Sequence, residues 1–186
     1  MNGGLAGPLG RAALLVGVVA SAFGAVAAIT SAREAARGEE VRTARLVPRF
    51  VGLAFAAAFG AMAAMEWAMI TRDFSLKYIQ DHGSRSTPAL YNFTAVWSAL
   101  EGSILLWILA LALSAGVVVW RYRKRLDDQL IAWAVAVICV VMVFFFILAF
   151  GPANPFAQGS PGVTDGPGPN PLLQNHILVL FHPPIL

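Results

Sequence analysis

The stretch Leu130-Ile-Ala-Trp-Ala-Val-Ala-Val-Ile-Cys-Val-Val-Met-Val-Phe-Phe-Phe-Ile-Leu-Ala-Phe150 carries no charge and is rich in β-branched and aromatic residues. Crossing a bilayer takes about 20 apolar residues in a helix, whereas strands rarely exceed 10. A continuous apolar run of this length therefore reads as a membrane helix and not as a strand. Three more such runs precede it. The expected fold is an all-α polytopic membrane protein with four transmembrane helices.

Upstream, Arg121-Tyr-Arg-Lys-Arg125 stops a run that begins near Phe93 and lasts to Trp120, with Glu101 its only charge. The run before that, Phe50–Ile70, follows Pro48 and contains only Glu66, next to Trp67 at its far end. The first, Ala12–Ile29, is uncharged. With their flanks the spans are expected at about 12–32, 48–70, 93–120 and 129–150, a transmembrane bundle over residues 1–150. Gly17, Ser21, Gly24 and Ala28 share one helix face of small residues, which lets a second helix approach closely in lipid. Gly52, Ala56 and Gly60 repeat that pattern in the second span. A cleaved signal peptide ending near Ala25-Val-Ala27 is the competing reading of the first run. Cleavage would export Arg33, Arg37, Arg42, Arg45 and Arg49, which counts against it. The single cysteine, Cys139, lies inside an apolar run and reads as a small buried hydrophobe.

Only 12% of the residues are charged, against about 25% in globular chains. Their placement fixes an orientation. The connectors after the first and third spans hold nine Lys and Arg; the N-terminal tail, the Arg72–Asn92 loop and the segment after the fourth span hold four together. Basic connectors stay on the cytoplasmic side, so the N-terminus, the Arg72–Asn92 loop and the segment 151–186 are expected outside. Two bands flanking a membrane do not make a basic face, which excludes nucleic acid as a partner and leaves the net charge of +3 to topology.

The segment 151–186 differs in kind. Between Gly151 and Pro171 it packs five Gly and six Pro, and from Gly151 to Leu186 it has no Lys or Arg. Such a segment cannot form a helix, and irregular backbone does not face lipid, so it is expected as an outward loop. The orientation gathers Glu66, His82, Glu101, His176 and His182 at or beyond the outer surface. An ionisable group inside a span is a functional candidate by default, although Glu101 also reads as a carboxylate that reaches water or pairs with Arg72 or Arg85. His182 precedes Pro183-Pro184, which fix the local backbone, and a neutral imidazole binds transition metals and haem iron. The chain stops as Ile177–Leu186 begins another apolar segment, so it reads as truncated.

Two stretches carry a family resemblance. Tyr91-Asn-Phe-Thr-Ala-Val-Trp97-Ser-Ala-Leu-Glu101-Gly102-Ser103-Ile-Leu-Leu-Trp107 resembles a signature of the cytochrome c haem lyases of the CcmF type, including their nitrite-reductase-associated relatives. Asp165-Gly166, Asn170-Pro171-Leu172-Leu173-Gln174 and His182-Pro183-Pro184 resemble the next signature of that family, in the same order and separation, preceded by Asn154-Pro155-Phe156. Leu100 stands where relatives commonly have a polar residue, and Pro169 replaces a usual leucine.

The resemblance implies the N-terminal part of an integral protein of the bacterial inner membrane, with its functional face outward. That protein joins haem b to an apocytochrome c bearing a Cys-x-x-Cys-His segment. It further implies His182 as an outward axial ligand of the haem iron, with Trp97 and Glu101 lining the outer end of the bundle and not catalytic. Other partners it implies are a haem-delivery chaperone, further membrane subunits of the maturation complex, and the remainder of its own chain in the lipid bilayer. The second external histidine, the tryptophan-rich segment and the intramembrane histidine pair come later in the family's chains, so residues 1–186 alone are expected to be inactive. On residues alone, Glu66 and Glu101 also fit a non-enzymatic membrane subunit or transporter element that uses them as a polar track.

Overall fold

A computed structural model describes residues 4–170. His176, His182 and the Ile177–Phe181 run lie outside the described residues. Among those described there are six α-helices and no strand: α1 (Ala6–Ala36), α2 (Val47–Thr71), α3 (Lys77–His82), α4 (Ala89–Thr94), α5 (Leu100–Arg121) and α6 (Gln129–Phe150). Helices α1, α2, α5 and α6 are long and apolar enough to cross a membrane, as the four charge-poor runs require. The protein is a multi-pass membrane protein. The third span starts later than its apolar run. Phe93 belongs to the short α4, Ala95–Trp97 forms a 3₁₀ turn, and the long helix begins only at Leu100.

The chain divides into two compact units, each assembled from separate stretches. The helical unit takes residues 14–59 and 108–147. In it the small-residue face of α1 is packed: Ser21 and Ala28 are fully buried, and Gly17 and Gly24 are buried with them. A Cβ on Gly17 would lie 2.1 Å from the Phe146 ring, and one on Gly24 would meet the Cys139 sulfur at 3.3 Å. Cys139 is buried there as a free thiol. The hydroxyl of Ser21 donates to the Gly17 carbonyl at 2.6 Å, so its burial leaves no unpaired donor.

The corresponding expectation for α2 fails. Gly52 and Ala56 are exposed, and a Cβ on Gly52 would meet nothing within 4 Å. The buried stripe there is Val51, Ala54, Ala57 and Ala58. Spacing put Gly52, Ala56 and Gly60 on one face, but alanine is nearly as small as glycine, and the alanine-rich face is the packed one.

At the ends of this unit the connectors are tied locally. Glu34 accepts hydrogen bonds from the amide and hydroxyl of Thr43, and Arg42 pairs with Glu40 at 2.9 Å. Asp128 accepts the amides of Leu130 and Ile131 at the start of α6 and pairs with Arg125 at 2.8 Å.

Candidate functional site at the loop-bearing unit

The second unit takes residues 4–13, 60–107 and the described part of 148–170. It contains every described residue that the sequence marks for chemistry. Helix α2 ends at Thr71, and Arg72 follows in the left-handed region at φ 54°, a position glycine usually takes. Arginine stands here because its guanidinium reaches back over the loop, donating to the Ser84 carbonyl at 3.4 Å and the Thr87 carbonyl at 3.3 Å. The loop after α2 is thus folded down onto its own helix end.

The Pro/Gly-rich segment straps across that loop. The Lys77 amide donates to the Ala157 carbonyl at 2.9 Å, and the Gly159 amide donates to Ser75 at 2.8 Å. Gln80 works in both directions: its amide nitrogen donates to the Ser160 carbonyl at 2.8 Å while its oxygen accepts the Ser160 amide at 3.0 Å. Arg11, from α1, donates through Nε to the Phe156 carbonyl at 2.9 Å, and Phe156 itself is fully buried.

Asp165 closes the strap. One of its oxygens accepts the amides of Arg85 and Gly166, both at 2.9 Å, and the Ser84 hydroxyl at 3.3 Å, while Arg85 returns a bond to the Thr164 carbonyl at 2.8 Å. The Arg85 amide is the main reason the Asp165 carboxyl is held below its usual range. A depressed folded value means that the clasp stabilises above the unfolded pKa near 3.8 and is lost as pH falls through the folded value. Exchange protection of the Arg85 and Gly166 amides is therefore expected to fall below about pH 4, and Asp165→Asn should remove that pH dependence. Protection that stays flat with pH in the wild type would refute the clasp.

Beneath the strap lies Tyr78, buried in α3. Its hydroxyl reaches the carbonyls of Val96 at 2.7 Å and Ala95 at 3.0 Å, the 3₁₀ turn that precedes α5. Burial pushes the phenol far above its usual range, and the nearby Glu101 carboxylate adds to that, so Tyr78 stays un-ionised and serves as a donor. The first signature stretch is woven round this point. The Asn92 side chain donates to the Met69 carbonyl at the end of α2, and Ser103 donates to the Trp97 carbonyl at 3.0 Å. Phe93 and Trp97 meet edge to face with centroids 5.1 Å apart.

Glu101 sits in the first turn of α5. With Lys77, Tyr78, Asp81, His82 and Asn154 it walls a recess of about 20 Å³. That is room for one water, not for a macrocycle. Arg72 and Arg85 bond elsewhere, so the pairing of either with Glu101 is not formed. Trp97 is buried at 8% exposure. Both carboxylate oxygens of Glu66 are buried without a hydrogen-bond partner. Among the described residues no group of His, Cys, Asp and Glu is assembled that could hold a metal ion. What they form is a platform of two loops fastened to the helix ends and to each other.

No protein-family model matches the chain. It is 38% identical over 126 residues to "Cytochrome c-type biogenesis protein ccl1" of Rhodobacter capsulatus, covering 68% of this chain and 19% of that protein. To "Cytochrome c-type biogenesis protein CcmF" of Haemophilus influenzae it is 34% identical over 145 residues, covering 75% and 21%. A solved structure, "Cytochrome c Heme Lyase CcmF", superposes with a TM-score of 0.72 at 33% identity over 82% of this chain. The chain belongs to the CcmF family. It spans 19% to 25% of the lengths of the three CcmF-type proteins just named.

The geometry gives the CcmF-type signature physical content. Asn92, Trp97, Gly102 and Ser103 in the first stretch, and Asp165 and Gly166 in the second, are the residues that fasten the two loops to the helix ends. Sequence reasoning singled out Asp165-Gly166 as a motif without a role. It missed Tyr78, Gln80 and the bracing of Arg72 and Arg85 altogether. The Tyr78 and Arg72 contacts span 12 to 18 positions and the Gln80 and Arg85 contacts 79 or 80, beyond what a local pattern announces.

Proposed function

We propose that this chain is the N-terminal part of a membrane haem lyase that binds haem at the outer face of the bacterial inner membrane and helps attach it covalently to apocytochrome c. The observation that carries the reading is the superposition on a solved heme lyase over 82% of the chain at 33% identity. In this reading the haem is haem b, and His182 is an outward axial ligand to its iron. Trp97 and Glu101 belong to the supporting outer end. The strapped platform sets where the ligand-bearing segment begins, and holding reactants in place is the main contribution a protein makes to such a reaction. The partners are an apocytochrome c with a Cys-x-x-Cys-His segment, a haem-delivery chaperone, other maturation subunits and the rest of the polypeptide. The basic connectors between α1 and α2 and between α5 and α6 face the cytoplasm.

Disrupting the gene in its own host is expected to abolish covalent haem staining of c-type cytochromes while b-type spectra persist. Normal c-type staining in the disrupted strain would overturn the reading. The polar-track alternative draws support from the unpartnered Glu66 carboxylate, and it predicts loss of ion or solute flux with normal cytochromes.

A further inference from the structure

We propose that the end of α5 in the helical unit carries a binding site for an acidic phospholipid. Two recesses adjoin there. One, of about 400 Å³, is walled by Arg121, Tyr122, Arg123, Lys124 and Arg125. The other, of about 270 Å³ and almost wholly apolar, is lined by Phe55 of α2 and by Leu113, Gly116, Val117 and Trp120 of α5. Those four α5 positions follow an i, i+3, i+4, i+7 spacing, so they form one stripe along the helix that runs into the basic turn. Arg123 joins the two recesses: its guanidinium stands 5.6 Å from the centroid of the Trp120 ring, and Nη1 donates to the Trp120 carbonyl at 3.0 Å.

The charge count favours an anion. Arg125 is paired with Asp128, but among the described residues no carboxylate pairs with Arg121, Arg123 or Lys124. Three cations at one turn repel each other, and a phosphate diester relieves that through charge-assisted hydrogen bonds. The groove is open for a reason visible in the backbone. A Cβ at Gly116 would meet nothing within 4 Å, so helix packing within the unit does not require this glycine. Trp120, 67% exposed, bridges the apolar groove and the basic turn as interfacial tryptophans do. A free phosphate would use only the basic recess and a neutral lipid only the groove. An acyl chain bearing an anionic headgroup uses both.

The test uses the intact protein in detergent, with palmitoyl-oleoyl phosphatidylglycerol and the matching phosphatidylcholine as probes, read by native mass spectrometry and by thermal midpoint. Retention of phosphatidylglycerol is expected to exceed that of phosphatidylcholine by about tenfold, the ratio that one or two basic contacts confer. Gly116→Ile should fill the groove and lose the lipid adduct while keeping the lipid-free midpoint. Arg123→Gln with Lys124→Gln should bring the two lipids level. Equal retention of both lipids by the wild type, or undiminished phosphatidylglycerol binding by Gly116→Ile, overturns the proposal. So does protection by inorganic phosphate as strong as that by phosphatidylglycerol.

Discussion

Gly102→Ala is expected to lower the thermal midpoint by several degrees or more. A Cβ at this position would lie 1.5 Å from the Val96 carbonyl oxygen and 2.8 Å from the Tyr78 hydroxyl. The first of these is backbone, which no side-chain rotation can relieve. Moving Val96 away would break the 2.7 Å bond that Tyr78 makes to it and leave the buried phenol only the longer bond to the Ala95 carbonyl. Overpacking costs about 1–3 kcal/mol, and more where backbone must shift. That is a large part of a total stability on the order of 5–15 kcal/mol. Gly116→Ala is the control, because the same helix offers open space there. Replacing glycine in a helix interior should stabilise it by up to about 1 kcal/mol. The thermal midpoints of the two variants in detergent decide the matter. If Gly102→Ala melts within a degree or two of wild type, the close approach of the 3₁₀ turn to α5 is not as described.

His182→Ala, introduced into the complete protein, is expected to change the haem spectrum and to lower the yield of holocytochrome c by roughly tenfold or more. His182 lies outside the described residues, so the expectation rests on the His182-Pro183-Pro184 motif and on the family. Its companion is Glu101→Gln. In the haem lyase reading Glu101 supports the outer end, and an amide of the same shape should leave the yield near normal. In the polar-track reading the outcomes reverse: Glu101→Gln stops transport and His182→Ala does nothing. Absorbance of the purified protein and haem staining of the cytochromes separate the two readings. Unchanged haem binding and unchanged yield in His182→Ala would sink the ligand assignment.

The four spans were legible because few charges interrupt them, and lipid demands that. The start of the third was not. Phe93, Val96 and Trp97 are as apolar as residues that face lipid, but Val96 and Trp97 are buried against protein, in a turn held by Asn92, Ser98 and Tyr78. Hydropathy records that a residue avoids water and is silent about what replaces the water. The small-residue spacing failed on α2 for a related reason: period identifies a shared face but not the face that is packed. The site was half legible. The signature pointed to Glu101-Gly102 and Asp165-Gly166, yet what Gly102 and Gly166 do depends on distant backbone. Gly166 passes so near the Gln80 and Gly83 carbonyls that any side chain would collide with them.

The strap has one unfastened point. Ser160 is held by Gln80, and Thr164 and Asp165 by Arg85, while Gly162 between them is exposed at φ 84° with nothing within 4 Å. A peptide inserted at Gly162 would hang from two fixed posts without loading either. That makes the loop tip a built-in handle, where an epitope or a membrane-impermeant dye can report which side of the membrane this unit faces while the fastened platform below stays intact.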